Sequence, residues 1–143
     1  MSETVRAFPV AAIIIGAGAG TRFGGPKASA TLSDGRRFVD AVAQMAKDAG
    51  CDPIVAVLPP GVEPPAGARA VRNVHPGSEQ ITSVRLGLAQ LVSTPALAAL
   101  LWPVDHPFVA LESVLAVLDA ARRTSAPIVI PEVNGRRGHP AYF

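Results

Sequence analysis

The chain has 143 residues, a formal net charge of +2, and 49% hydrophobic against 17% charged residues. That size and composition suit one domain with a real core and exclude intrinsic disorder. So mild a charge, dispersed along the chain, excludes a surface that wraps nucleic acid and suits a small anionic ligand.

Apolar runs set against turn residues give an alternation of strands and helices. Residues 9–15 form a continuous, β-branched run, as expected for a strand covered on both faces. A glycine-rich loop follows, then a polar turn at Ser33-Asp34-Gly35. Residues 37–49 place Phe38, Val42, Met45 and Ala49 at helical spacing, with Gly50 as the C-terminal stop. PIVAVL at 53–58 is the second strand, PPGVEPPAG a rigid surface loop, and 68–74 a short third strand. Ser78 is placed to cap a helix whose Ile81, Val84, Leu88 and Leu91 share one face, running to about Val92. Residues 98–104 are the fourth strand, 111–123 a helix and 126–130 a fifth strand. The order predicts a single α/β domain over residues 1–143, a three-layer sandwich with a mainly parallel sheet.

Cys51, the one cysteine, has no internal partner, and MSETVRAF has no signal-peptide pattern. No apolar run approaches eighteen residues, so a soluble, cytoplasmic protein without membrane contact is expected. Trp102 is expected in the core, and neither Cys51 nor His75 has metal-ligand spacing.

The stretch GAGAGTRFGGPK, residues 16–27, directly follows the first strand, where open parallel sheets bind ligands. Its glycines let backbone N–H groups turn inward onto an anion. Gly16 opens G-x-G-x-G and Gly18 opens G-x-G-x-x-x-G, so neither frame gives the dinucleotide fingerprint. Pro26 separates Gly25 from Lys27, which excludes the P-loop pattern. Arg22 and Lys27 within one such loop suit a triphosphate, whose charge otherwise opposes attack by another anion.

GAGAGTRFGGPK resembles the A-A-G-x-(S/G)-(R/T)-R-(M/F)-G-x-x-K loop of nucleotidyltransferases with the nucleotide-diphospho-sugar transferase fold. The similarity is greatest to the molybdenum-cofactor nucleotidyltransferases, especially their cytidylyltransferase branch. Gly16 stands where the family has Ala, a departure that keeps the backbone unencumbered. The resemblance implies that Gly16, Ala17, Gly18, Ala19 and Gly20 bind the nucleotide. It also implies that Arg22 and Lys27 hold the triphosphate and act in catalysis, Lys27 at the α-phosphate.

GSEQITSVRLGL, residues 77–88, resembles a segment of cofactor and methylerythritol-phosphate cytidylyltransferases that reads base and ribose, which implies such roles for Gly77 and Ser83. Gln80 replaces a basic residue of the methylerythritol enzymes and argues against that substrate. Asp105 follows an apolar strand in WPVDHPFV, so its carboxylate should emerge at the sheet edge, where it suits Mg²⁺ bridging to phosphates. This stretch resembles the family's V-D-x-P-(L/F)-V element, with His106 at the variable position. NGRRGHPAYF resembles a G-x-R-G-H-P element near the acceptor site, which implies that Gly138, His139 and Pro140 shape that pocket. Arg136 reads as a solvated charge, and Arg137 as either solvated or facing an acceptor phosphate.

The resemblance covers nearly the whole chain. It implies an Mg²⁺-dependent transfer of NMP from an NTP, CTP foremost, to a molybdopterin-type acceptor, with a molybdoenzyme or its maturation factor as protein partner. A sugar-phosphate nucleotidyltransferase and a noncatalytic nucleotide-binding module stay open as alternatives. Relatives continue past the GHP element and carry a second metal-binding aspartate there. The strand-like ending PAYF therefore raises the expectation of a further C-terminal portion.

Overall fold

A computed structural model describes residues 9–17, 27–75 and 80–143. β1 (Val10–Ile15) is buried at every position. Its side chains alternate between two apolar layers, as the period of a strand requires. Val10, Ala12 and Ile14 join α1 (Phe38–Asp48) and α3 (Leu111–Thr124) in the larger layer; Ala11, Ile13 and Ile15 face α2 (Gln80–Ala89). Helices thus cover both sides of the sheet, giving the expected α/β/α sandwich.

The sheet adds β2 (Ile54–Leu58), β3 (Arg69–Arg72), β4 (Ala98–Pro103) and β7 (Ala141–Tyr142), in the order β3-β2-β1-β4-β7. β1 pairs in parallel with β2 and β4, and β2 with β3, whereas β7 runs antiparallel to β4 with Leu100 opposite Tyr142. The parallel core and its crossovers are those expected from the alternating pattern.

The fifth strand expected at 126–130 does not form. Only Val129 engages the sheet, exchanging backbone hydrogen bonds of 2.9 and 2.8 Å with Tyr142. Pro127 and Pro131 bracket this stretch and lack N–H donors, and Ile128 and Ile130 are exposed, so a longer ladder has neither donors nor a buried face. The chain instead makes a hairpin of β5 (Glu132–Val133) and β6 (Arg136–Arg137), closed by Asn134 and Gly135 at φ +53° and +78°. Two adjacent left-handed residues are what a two-residue hairpin loop demands, and Asn-Gly supplies them.

The helices also refine the expected faces. In α1 the buried stripe is Val39, Val42, Ala43 and Ala46, with Phe38, Met45 and Ala49 along its margin; Gly50 ends it at φ +88° as expected. α2 ends at Ala89 rather than near Val92; in it Ile81 and Leu88 are exposed and the helix rests on Ser83 and Gly87, with Val84 and, in the turn beyond its end, Leu91 partly buried. A Cβ at Gly87 would lie 2.5 Å from Ile13 Cγ2, so glycine is what lets α2 sit this close to β1. Ser78, its expected cap, lies outside the described residues.

Candidate functional site

The carboxyl ends of β1, β3 and β4 converge on one edge of the sheet. Backbone bonds carry the ladder past the strands: Gly16 N–H donates to the Val57 carbonyl (2.8 Å), Val104 N–H to Ile15 (3.0 Å) and Asn73 N–H to Leu58 (3.0 Å). These bonds fix where three loops leave the sheet, and all three carry polar or glycine-rich sequence.

Gly16 and Ala17 form the buried root of the glycine loop. An ideal Cβ on Gly16 would sit 3.1 Å from each of Ala28 Cβ, Leu58 Cδ2 and Val104 Cγ1, so the core beneath the loop already accounts for glycine there. Gly18, Ala19, Gly20, Arg22 and Gly77 lie outside the described residues. Lys27 opens a short 3₁₀ turn, Lys27–Ser29, whose fully buried Ala28 packs against Gly16 at the root of the loop.

Asp105 emerges from the end of β4 with its side chain about half exposed, as the strand-then-carboxylate pattern predicts, and His106 Nε2 stands 3.7 Å from its Oδ1. The turn that presents it is tied down from below. Trp102 is fully buried, as expected, yet its indole N–H also donates to the His106 carbonyl at 2.9 Å, and His106 N–H closes the turn onto Pro103 (3.2 Å).

The GHP element is brought to the same place because β7 pairs with β4. The His139 and His106 rings lie 5.1 Å apart at 52°. Burial and then the neighbouring His106 push the His139 pKa below its ordinary value, favouring the neutral ring. Its Nδ1 is buried and has no hydrogen-bond partner among the described residues. Pro140 is fully buried, and Gly138 N–H donates to the Pro131 carbonyl at 2.8 Å, so the element is anchored on both sides of the histidine. Arg136 and Arg137 are exposed on β6.

Among the described residues no group of three or more His, Cys, Asp or Glu side chains has metal-holding geometry. A single exposed carboxylate is nonetheless a sufficient protein donor for Mg²⁺, which keeps most of its shell as water and substrate phosphate. Asp105 fits that role; the histidines, being nitrogen donors, suit it less.

Ser83 is buried rather than open, and its partner is a residue that sequence reasoning passed over. Asn73, also buried, donates from Nδ2 to Ser83 Oγ at 3.0 Å, while His75 N–H donates to Asn73 Oδ1 at 3.0 Å. The only available signal was a polar residue closing a strand. Phe108, three residues past Asp105, is a large exposed ring that touches Phe38 edge to face (6.4 Å, 70°). Cys51 is buried, and desolvation pushes its thiol pKa up to about 11.

The mainly parallel sheet of this order, with a glycine loop after the first strand and a carboxylate after the fourth, has the nucleotidyltransferase fold of the nucleotide-diphospho-sugar transferase type. The chain belongs to the MobA-like NTP transferase domain family, whose sequence profile matches residues 12–143. A 2-C-methyl-D-erythritol 4-phosphate cytidylyltransferase from Thermus thermophilus is 34% identical over 122 residues, 85% of this chain and 54% of that protein. The chain therefore spans about half the length of the curated relatives it matches. Among solved structures, Rv0371c from Mycobacterium tuberculosis H37Rv superposes with a TM-score of 0.79 at 24% identity, covering 96% of this chain and 72% of that one. A second Rv0371c structure, a complex with manganese, gives a TM-score of 0.76 at 23% identity, covering 94% and 70%. No helix among the described residues is long and apolar enough to cross a membrane.

Proposed function

We propose that this chain transfers a nucleotidyl group from an NTP to a phosphate-bearing acceptor and releases pyrophosphate. One observation carries this reading: the root of the glycine loop, the Asp105 carboxylate and the anchored GHP element share one sheet edge. An oxygen of the acceptor phosphate attacks the α-phosphorus, the bond from that phosphorus to the bridging oxygen breaks, and pyrophosphate leaves with the electron pair. No protein nucleophile is needed, so positioning and charge neutralisation do the catalysis.

Residues 16–20 supply backbone donors, and Arg22 and Lys27 supply positive charge to the triphosphate. Asp105 would hold Mg²⁺, which when bound offsets charge on the phosphate oxygens. Gly138 and His139 shape the acceptor side, with Pro140 anchoring them from the core. Gly77 and Ser83 are assigned to reading the base and ribose, with Ser83 acting from within the fold rather than from an open surface. The finer reading is CTP as donor and a molybdopterin-type cofactor as acceptor, in a cytoplasmic enzyme that passes its product to a molybdoenzyme or maturation factor. Membership in the MobA-like family and the VDHPFV and GHP elements support it.

The cytidylyltransferase relative favours a second reading, a sugar-phosphate acceptor with the same nucleotide chemistry. Gln80 in place of a basic residue weighs against it. Pyrophosphate release measured with each of the four NTPs, against molybdopterin and against methylerythritol phosphate, separates the two. Asp105→Asn and Lys27→Ala should each lower turnover about a hundredfold, as expected when one charge-stabilising group is removed from the transition state. Unchanged turnover in both variants would remove the transfer mechanism, and NTP binding without pyrophosphate release would leave a noncatalytic binding module.

A further inference from the structure

We propose that Asn73 is a positioning residue that fixes Ser83 as a hydrogen-bond donor toward the bound nucleotide. The inference rests on the nucleotide reading of this site and adds to it a polarity for its base-side contact.

The direction of the relay follows from the backbone. An N–H is only a donor, so the His75 N–H at 3.0 Å identifies the atom it meets as Asn73 Oδ1. The amide nitrogen of Asn73 is therefore the atom facing Ser83, 3.0 Å from its Oγ. An amide nitrogen has no lone pair to offer, so Ser83 must accept at this contact. Its own proton points elsewhere, and among the described residues no second partner takes it. Asn73 and Ser83 are each only 4% exposed, so water does not scramble these roles.

Placement gives the relay its target. Asn73 follows β3 and is bonded through its N–H to Leu58, the last residue of β2. Ser83 stands in the first turns of α2, which follows β3 and starts from the sheet edge where Gly16 and Ala17 leave β1. A hydroxyl locked as donor there selects an acceptor atom on its ligand, such as a base carbonyl or ring nitrogen, and rejects an amino group. Ser83 and Asn73 then act as one unit: the serine meets the ligand and the asparagine decides what it presents.

Asn73→Asp tests this without changing shape. The backbone N–H of His75 still finds an acceptor, but the second carboxylate oxygen now demands the Ser83 proton and turns the hydroxyl toward the ligand as an acceptor. Calorimetric titration with ATP, CTP, GTP and UTP in the presence of Mg²⁺ identifies the NTP that wild-type protein binds most tightly. For that NTP, Asn73→Asp should weaken binding about tenfold, the effect of one mispaired polar group. Ser83→Ala should weaken it by a similar factor, and the double variant no further than either alone.

Unchanged affinity in a folded Asn73→Asp protein, or losses that multiply in the double variant, would overturn the relay. Where Asn73→Asp does not fold, Asn73→Ala in the Ser83→Ala background applies the same criterion. Binding is read separately from turnover, so the relay can fail while nucleotidyl transfer stands. Conversely, wild-type protein that binds an NTP but releases no pyrophosphate sinks the transfer reading and leaves the relay to its own result. Failure of wild-type protein to bind any of the four would overturn both.

Discussion

Gly87→Ala is the most direct test of how the sheet and α2 set the site. The added Cβ would lie 2.5 Å from Ile13 Cγ2, 3.4 Å from Val57 Cγ2 and 3.5 Å from Ile13 Cδ1. Carbons rest about 3.5–4.0 Å apart, so roughly 1 Å must be relieved. Ile13 is fully buried in the central strand, and a β-branched methyl has little freedom to rotate away. Relief therefore comes from lifting α2. Overpacking of this kind costs about 1–3 kcal/mol, while alanine returns about 1 kcal/mol of helix propensity. Taking the upper cost, because the blocking methyl is fixed, leaves a net loss of about 2 kcal/mol. For a domain of this length that is a fall in Tm of roughly 6–8 °C, measurable by calorimetry or circular dichroism. Ile13→Leu removes the obstructing methyl, so the double variant should be less destabilised than the sum of the singles by about 1 kcal/mol. A Gly87→Ala protein with a Tm at or above wild type would refute the claim that glycine is needed for close approach.

Two further outcomes follow from other parts of the fold. Arg37 donates two bonds to Asp40, at 2.8 and 2.9 Å, and one to the Glu63 carbonyl at 2.8 Å, tying the start of α1 to the proline-rich loop. Arg37→Ala should lower stability by about 1 kcal/mol in urea titrations, less at high salt, since the pair is partly exposed; no shift in midpoint would show the tie is idle. His139 has a folded pKa depressed below 6.5, so the unfolded chain takes up a proton first as pH falls. Its share of stability is complete above about pH 6.5 and is lost as pH drops through the folded value. The unfolding midpoint of His139→Gln should therefore fall less steeply than wild type between pH 7.5 and 5, and identical slopes would exclude His139 as the source.

Fold legibility followed burial. VAAIII could be read as a two-faced strand because every residue in it is apolar, and both layers of the core confirm that reading. APIVIP looked equally strand-like by composition, yet Pro127 and Pro131 deny it donors and its isoleucines face solvent. There the placement of prolines outweighed β-branched content. The hairpin after it was legible in principle: Asn134-Gly135 is a turn signal, but it sits inside the GHP stretch, where the chemistry of the neighbouring residues masks its meaning for the backbone. In α2 the apolar periodicity named Ile81 and Leu88, whereas the helix packs on its small residues, because what decides its face is how closely it must approach Ile13.

The site was legible in the same uneven way. Asp105 could be placed because a carboxylate after a buried strand has one exit, at the sheet edge, and the β4–β7 pairing then brings His139 beside it. Asn73 could not, since its meaning depends on β3 and α2 meeting across ten residues of chain. The glycines carry the wider point. Gly16 and Gly87 both belong to segments that resemble nucleotide-binding elements, and both are pressed on by apolar neighbours from the core: Leu58 and Val104 under Gly16, Ile13 under Gly87. Their small size is enforced from below the site before any ligand arrives. A glycine in such a loop is thus weak evidence of ligand contact on its own, and the functional weight shifts to the groups that packing does not explain: the half-exposed Asp105 carboxylate, the buried Nδ1 of His139 and the directed Asn73–Ser83 pair.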